Sequence, residues 1–390
     1  MIQNTLQQAI WNSNFEEIET ILNSNPNEFD TIQKHNLEQF YSNLIKNNKF
    51  SIIQLLINNK KIETDLYEYE KYSGTIFASL FKNLNNDEES IAFLSSFISN
   101  LDNNNESVEN KTLLHLAIES LAKPIIIKEL INSGCNINYK DNYENTFLHA
   151  ILTNYNIKGE LLKEYAQILI DEGIDVNSVN KGHESVLFTA VKNNKIDAIE
   201  LLLDNGADAN HQNTKGESVF YECIVNKRTY DVLVILCNYQ SIDFLKVTSN
   251  NENILFQFLR NCSEREENIF DILLEQNADF NQETVYYSVT TSKSLLYKIP
   301  YSFFEKAIES GSIDIHETDN DGNSILHTIC EKDLNHDQNL AKLVYKKVKF
   351  LVEKGIDVSL TNNNGKTAID LALTDNLKDK IVTLLINSKQ

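Results

Sequence analysis

Proline and glycine are scarce in this chain, three and eleven in 390 residues. That shortage excludes a turn-rich β protein and suits a chain made of helices. Cysteine is also sparse. Five residues, an odd number with no C-x-x-C spacing, build neither a disulfide framework nor a zinc site, and they fit a reducing interior. No run of about 18 apolar residues occurs, so no membrane-crossing helix is expected. The opening MIQNTLQQAIWNSNFEE lacks the basic and apolar regions of a secretory signal, so a cytoplasmic location is expected. Positive charge is in deficit: 35 Lys and Arg stand against 56 Asp and Glu, a net charge of -21. The average field repels nucleic acid and anionic membranes. Phosphate-loop, nucleophile-elbow and zinc-protease motifs are absent.

Apolar residues, at 42%, suffice for a large core. Their arrangement repeats. IKNNKFSIIQLLINN (45–59) and VKNNKIDAIELLLDN (191–205) follow one pattern. AIELLLDNGADAN, YAQILIDEGIDVN, KPIIIKELINSGCNIN, IFDILLEQNADFN and VKFLVEKGIDVSL each place apolar residues at helical spacing before a Gly or Asn stop. About twenty residues before each, a Thr, Ser or equivalent opens another apolar helix. The openings fall at Asn4, Gln39, Thr75, Thr112, Thr146, Ser185, Ser218, Asn253, Ser294, Ser324 and Thr367, spaced by 30 to 43 residues. A period in this range marks a solenoid, in which each helix pair buries its apolar stripe against its neighbours. The prolines agree. Pro124 and Pro300 fall at starts of second helices, where a missing N–H is harmless, and Pro26 falls in a loop. Two units carry extra length between their helices, in TNYNIKGELLKEY and CEKDLNHDQNLAKLVYKK.

TLLHLAI and TFLHAI, LLLDNGADAN, and the lead-ins NTKGES and DNDGNS resemble the ankyrin repeat family. The resemblance implies an all-α, ankyrin-type solenoid of about ten to eleven helix-pair repeats. Residues 107–217 and 312–390 match well, 312–390 including a C-terminal cap. Residues 218–311 are degenerate, and 1–106 form a degenerate N-terminal portion. The family's proline after the opening Thr is missing from every copy, so helix entry must rely on the Thr or Ser cap.

Groups with chemical potential have structural readings. His115, His149 and His327 stand where the family uses a His to bond a neighbouring hairpin. His183, His211 and His316 fall in hairpins and His336 in a long loop. Cys135, Cys223 and Cys330 take a position the family fills with buried Ala. His327 and Cys330, three apart, have the spacing of a nucleophile pair, but packing explains each alone. Lys342, Lys346, Lys347 and Lys349 make a basic spot on one helix and are expected to be solvated. TVYYSVTTSKSLLYKIPYSFF (284–304) breaks the pattern with Tyr286, Tyr287, Tyr297 and Tyr301, which form either core or an aromatic contact patch.

The resemblance implies a scaffold or adaptor that grips another protein with a concave face. The chain is expected to be a monomer, with no catalysis, metal or cofactor. Alternatives are a microbial effector acting on host proteins and an enzyme hidden in residues 1–106. Contact residues are expected where chemistry varies between copies while core positions stay apolar. At hairpin tips these are Asp141, Tyr143 and Asn145; Lys181 and Glu184; Thr214, Lys215 and Glu217; and Asn320, Asp321 and Asn323. At the ends of first helices they are Glu119, Thr153, Lys192, Asn193, Glu331 and Lys332.

Overall fold

The computed structural model describes residues 5–227 and 229–388, which fall into two compact units, Met1–Ala207 and Asp208–Gln390. The expected first opening, Asn4, lies outside the described residues.

In the first unit helices come in consecutive pairs: α1 (Leu6–Trp11) and α2 (Phe15–Ser24), α3 (Lys34–Lys46) and α4 (Phe50–Asn58), α5 (Ile76–Asn83) and α6 (Glu88–Ser99), α7 (Leu113–Glu119) and α8 (Pro124–Asn132), α9 (Phe147–Thr153) and α10 (Gly159–Asp171), α11 (Val186–Lys192) and α12 (Ile196–Asp204). The first helices α3, α5, α7, α9 and α11 pack in sequence on one another, and α6, α8, α10 and α12 do the same in a second layer. Leu187, Ala190, Ile199, Leu202 and Leu203, the expected inter-repeat core, are at most 5% exposed. Burying such a side chain is worth about 1.5–3 kcal/mol, which no single helix pair gains alone.

The second unit holds α13 (Val219–Tyr221), which runs on into a π-helical turn (Glu222–Lys227), then α14 (Tyr230–Tyr239), α15 (Ile254–Asn261) and α16 (Glu267–Glu275). After these come two strands, β1 (Glu283–Tyr286) and β2 (Ser288–Thr291). The unit ends with α17 (Tyr301–Glu309), α18 (Ile325–Glu331), α19 (Gln338–Glu353), α20 (Ala368–Ala372) and α21 (Asp379–Asn387). The second-layer helices α14, α16, α17, α19 and α21 again pack in order.

The expected caps mostly form. Ser185 Oγ accepts from Phe188 N at 3.1 Å, Ser218 Oγ from Tyr221 N at 3.2 Å, and Asn253 Oδ1 from Phe256 N at 2.8 Å. Three expectations are corrected. Gln39 opens nothing: it lies inside α3, which starts at Lys34, two residues after Ile32 closes the preceding turn, and whose own cap residue, Gln33, makes no side-chain bond. Ser294 heads no α-helix, because only a short 3-10 turn spans Ser292–Leu295. The chain is also not purely helical. The β-branched and aromatic run around Val285 pairs as a hairpin with Tyr286 opposite Ser288, leaving Tyr287 alone at the turn with φ +60°.

Among the described residues five lysines reach back to carbonyl groups of the preceding repeat, Lys246 Nζ to Asn210 O at 2.5 Å among them. Lys195 Nζ donates to Asn154 O and Ile157 O, both at 2.6 Å. Lys298 Nζ donates to Arg260 O at 3.0 Å, and Lys378 Nζ to Cys330 O at 2.8 Å. Lys347 Nζ donates to Leu296 O and Ile299 O at 2.6 Å and to Tyr297 O at 3.2 Å. Lys347, expected on a solvated face, is fully buried. These ammonium groups satisfy carbonyls that the ends of helices and turns leave without partners.

Candidate functional site

Five tips are each organised by one Asp or Asn, and Thr248 takes that place in a sixth. Asp141 Oδ1 accepts from Tyr143 N at 2.8 Å and Asn145 N at 2.9 Å. Asn180, Asn213, Asp319 and Asn362 make the same two bonds in their own tips. Asp141 therefore shapes its tip. Two residues before each cap the backbone turns left-handed, at Glu144, His183, Gly216, Asn251, Gly322 and Gly365. Gly216 is required, since a Cβ there would sit 2.7 Å from Thr248 Cα of the next tip.

Successive tips are joined through main chain. Lys181 N donates to Tyr143 O at 2.9 Å, Ser249 N to Lys215 O at 2.8 Å, and Asn363 N to Asp321 O at 2.9 Å. The side chains of Tyr143, Lys181, Thr214 and Lys215 remain exposed. Asn145 and Asn323 take part in amide bonds to the following tip, with Asn180 at 3.4 Å and Asn362 at 2.8 Å. Asn320 O accepts from Asn363 Nδ2 at 3.0 Å.

The tip and the end of the first helix in one repeat face each other. The residue just before the cap pairs with the residue eight further on. Lys111 Nζ meets Glu119 at 2.8 Å, and Glu184 meets Lys192 Nζ at 2.6 Å. In the stretch read as degenerate, Glu252 meets Arg260 at 3.0 Å. An exposed pair such as Lys111 with Glu119 contributes about 0–1 kcal/mol, so its weight is in positioning. Glu217 accepts from Asn213 Nδ2 at 3.2 Å, Asn193 Nδ2 donates to Thr189 O at 2.9 Å, and Thr153 Oγ1 to His149 O at 3.0 Å. Glu331 is exposed and Lys332 half-buried.

In the first unit a groove of about 470 Å³ gathers four of the expected residues, Glu119, Asp141, Asn145 and Thr153. Lys111, His115 and Tyr155 are among its other lining residues. Tyr155 is 83% exposed and Tyr143 70%. Lys111, Tyr155, Glu252 and Arg260 escaped the sequence reading. The eight-residue offset between Lys111 and Glu119 was the available signal, and Tyr155 lies in the inserted TNYNIKGELLKEY. Of the four tyrosines of the 284–304 segment, Tyr286 and Tyr287 are exposed, Tyr287 at 97% on the hairpin turn, and Tyr297 and Tyr301 are half-buried. Tyr286 lies under the Arg260 guanidinium, 5.0 Å from its ring centre.

The histidines are tied into the scaffold. His149 Nδ1 accepts from Thr146 N at 3.3 Å, which places the ring proton on Nε2, and Nε2 bonds Glu184 O at 3.2 Å. His327 repeats this with Ser324 N at 3.2 Å and Lys366 O at 3.2 Å. His115 Nδ1 accepts from Thr112 N at 3.4 Å, and its ring packs on Tyr139 and Phe147. Burial pushes His115 down to about 4, against the pull of Glu119 and Asp141, and burial lowers His149 as well. Burial drives the Cys330 thiol up to about 12. With both nitrogens of His327 engaged and the thiol held protonated, the pair lacks an activated nucleophile. Among the described residues, no group of three or more His, Cys, Asp or Glu could hold a metal ion, and no helix is long and apolar enough to cross a membrane.

Residues 109–142 match the family model described as ankyrin repeat, and residues 187–284 match the one described as ankyrin repeats in three copies. The second match runs through much of the stretch read as degenerate. Over 70 residues the chain is 39% identical to a protein of Acanthamoeba polyphaga mimivirus named as an ankyrin repeat protein, covering 17% of this chain and 41% of that one. Over 145 residues it is 26% identical to a protein of Dictyostelium discoideum named as a probable serine/threonine-protein kinase, covering 37% of this chain and 17% of that protein. Both matches thus span less than half of the relative's length.

Proposed function

We propose that this chain, an ankyrin-repeat protein, binds another protein through its tips and the ends of its first helices, as a scaffold or adaptor without catalysis. One observation carries the reading. The groove draws together four of the expected contact residues, Glu119, Asp141, Asn145 and Thr153, with Lys111 and Tyr155 beside them, and two exposed tyrosines come from the same pair of neighbouring repeats, Tyr143 at a tip and Tyr155 after α9. Tyrosine combines a large apolar ring with a hydroxyl that stays bonded, which suits the centre of an interface. Backbone bonds already hold the tips, so association orders little chain and loses little entropy. The boundaries 1–106, 107–217, 218–311 and 312–390 stand as a proposed organisation in which the well-matched stretches carry the contact.

The test is a pull-down from native lysate, then titration calorimetry of the recovered partner against Tyr143→Ala combined with Lys181→Glu and Lys215→Glu. The expected loss is at least tenfold, about 1.4 kcal/mol, with the melting temperature nearly unmoved. Unchanged affinity would mean that the partner uses another surface, with the exposed Tyr287 hairpin next to be probed.

A further inference from the structure

The helix α19 is sixteen residues long, against nine for each of α16, α17 and α21. The inserted sequence CEKDLNHDQNLAKLVYKK supplies the difference, and the added turns lie at the N-terminal end of α19. Val344, Val348 and Leu351 bury one side of the helix. The other side of the added turns borders a groove of about 550 Å³ between α19 and α21.

That groove has two kinds of lining. Ala341, Tyr345, Leu377 and Ile381 give it an apolar floor, and Lys342, Lys346 and Lys380 stand around it. All three lysines are exposed, and none makes an ion pair among the described residues. Lys346 lies over the Tyr301 ring at 4.7 Å, while the neighbouring Lys349 is already paired with Glu353 at 3.6 Å. Two nearby carboxylates are engaged elsewhere: Asp337 accepts from Asn339 N and Leu340 N, and Asp375 accepts from Leu334 N and Leu377 N and lies 3.9 Å from the buried Lys378 ammonium. A cluster of three unpaired ammonium groups is a local reversal of sign in a chain of net charge -21.

We propose that the α19–α21 groove is a second docking surface, distinct from the tips, and that it takes an acidic peptide segment carrying an apolar side chain. The carboxylates of the segment would meet Lys342, Lys346 and Lys380 while its apolar residue covers Tyr345 and Ile381. Lys342 and Lys346 are one helical turn apart, about 5–6 Å, which carboxylates spaced i,i+4 on a helix or i,i+2 on a strand match.

The experiment is fluorescence anisotropy of a labelled fifteen-residue peptide of glutamate and leucine, titrated with the full chain at 50 and 300 mM salt. Saturable binding is expected, weakened at least tenfold by K342E/K346E/K380E. K71E/K128E/K163E, which changes the net charge equally at exposed lysines elsewhere, should leave it within twofold. Should charge reversal unfold the protein by circular dichroism, K342Q/K346Q/K380Q carries the test with an expected loss of at least threefold. The proposal is overturned by equal losses in the two charge-reversed variants, or by the absence of saturable binding to the wild type. It is also overturned if phosphatidylserine vesicles bind more tightly than the peptide and lose that binding in the same variant, since the groove would then be a membrane contact.

Discussion

Replacing Lys347 by Met removes one ammonium group and leaves three carbonyls, on Leu296, Tyr297 and Ile299, without their donor. Each orphaned buried group costs about 1–3 kcal/mol. Against this stands the cost of keeping a charge in a fully buried position. Burial lowers Lys347 to about 7 from an ordinary 10.5, with Cys262 pulling weakly the other way. Deprotonation of the folded protein therefore begins near pH 7, while the unfolded chain holds the same proton until about pH 10.5. Between those limits the unfolded state binds more protons, so the wild type gains stability as pH rises. From pH 7 to 9 the gain integrates to about 2 kcal/mol at 1.36 kcal/mol per pH unit. Lys347→Met has no such proton. Urea unfolding followed by circular dichroism should show the wild type more stable than the variant, with the gap widening by about 2 kcal/mol from pH 7 to 9. A gap that stays flat or narrows over that range refutes the assignment of a buried, carbonyl-bound ammonium.

Leu202→Ala should cost about 2–5 kcal/mol in chemical denaturation, since Leu202 is 1% exposed in the inter-repeat core; no change would mean that the repeat register is wrong. His115, held at about 4 in the fold, refuses a proton that the unfolded chain accepts near pH 6.5. Stability should therefore fall as pH drops from 6.5 to 4, and thermal melts of His115→Gln should lose less over that range, by up to about 3 kcal/mol. Maleimide labelling of the native protein should spare Cys135, Cys223 and Cys330, which are buried, and digestion with mass spectrometry reads this directly. Cys330→Ala should retain partner binding, and loss of an enzymatic activity in that variant with its fold intact would contradict the packing role.

The helix pairs were legible because their apolar spacing and Thr or Ser caps are local signals that tertiary contacts reinforce. Gln39 was misread because α3 is capped at Gln33 without a side-chain bond, so no Ser or Thr marked the start. The hairpin at 283–291 was visible as alternating β-branched and aromatic residues, but fitting the segment to the helical period concealed it. The π-helical turn at Glu222–Lys227 has no composition of its own, since one extra residue per turn leaves the apolar pattern nearly intact. Lys347 was assigned to solvent because lysine usually stays exposed. Only the position of the preceding repeat's carbonyls gives its ammonium a place inside. For the candidate site, the variable positions were readable one by one. Their pairing between tip and helix end, as in Lys111 with Glu119 and Glu252 with Arg260, required the two to be seen face to face.

The main-chain bonds between tips bear on how such a chain can change over generations. Lys181 N to Tyr143 O, Ser249 N to Lys215 O and Asn363 N to Asp321 O use no side-chain atom, so almost any residue can occupy an exposed tip position without disturbing its neighbour. Adding or deleting one residue there would shift the bond out of register and break the link to the next copy. The tips are thus permissive to substitution and intolerant of altered length. Among the described residues the segments between the two helices of a repeat are linked through side chains instead, as Lys195 is to Asn154 O and Ile157 O, and that is where α10 and α19 have grown to thirteen and sixteen residues. Point changes can retune recognition at the tips, whereas new surface area can accumulate only between the helices.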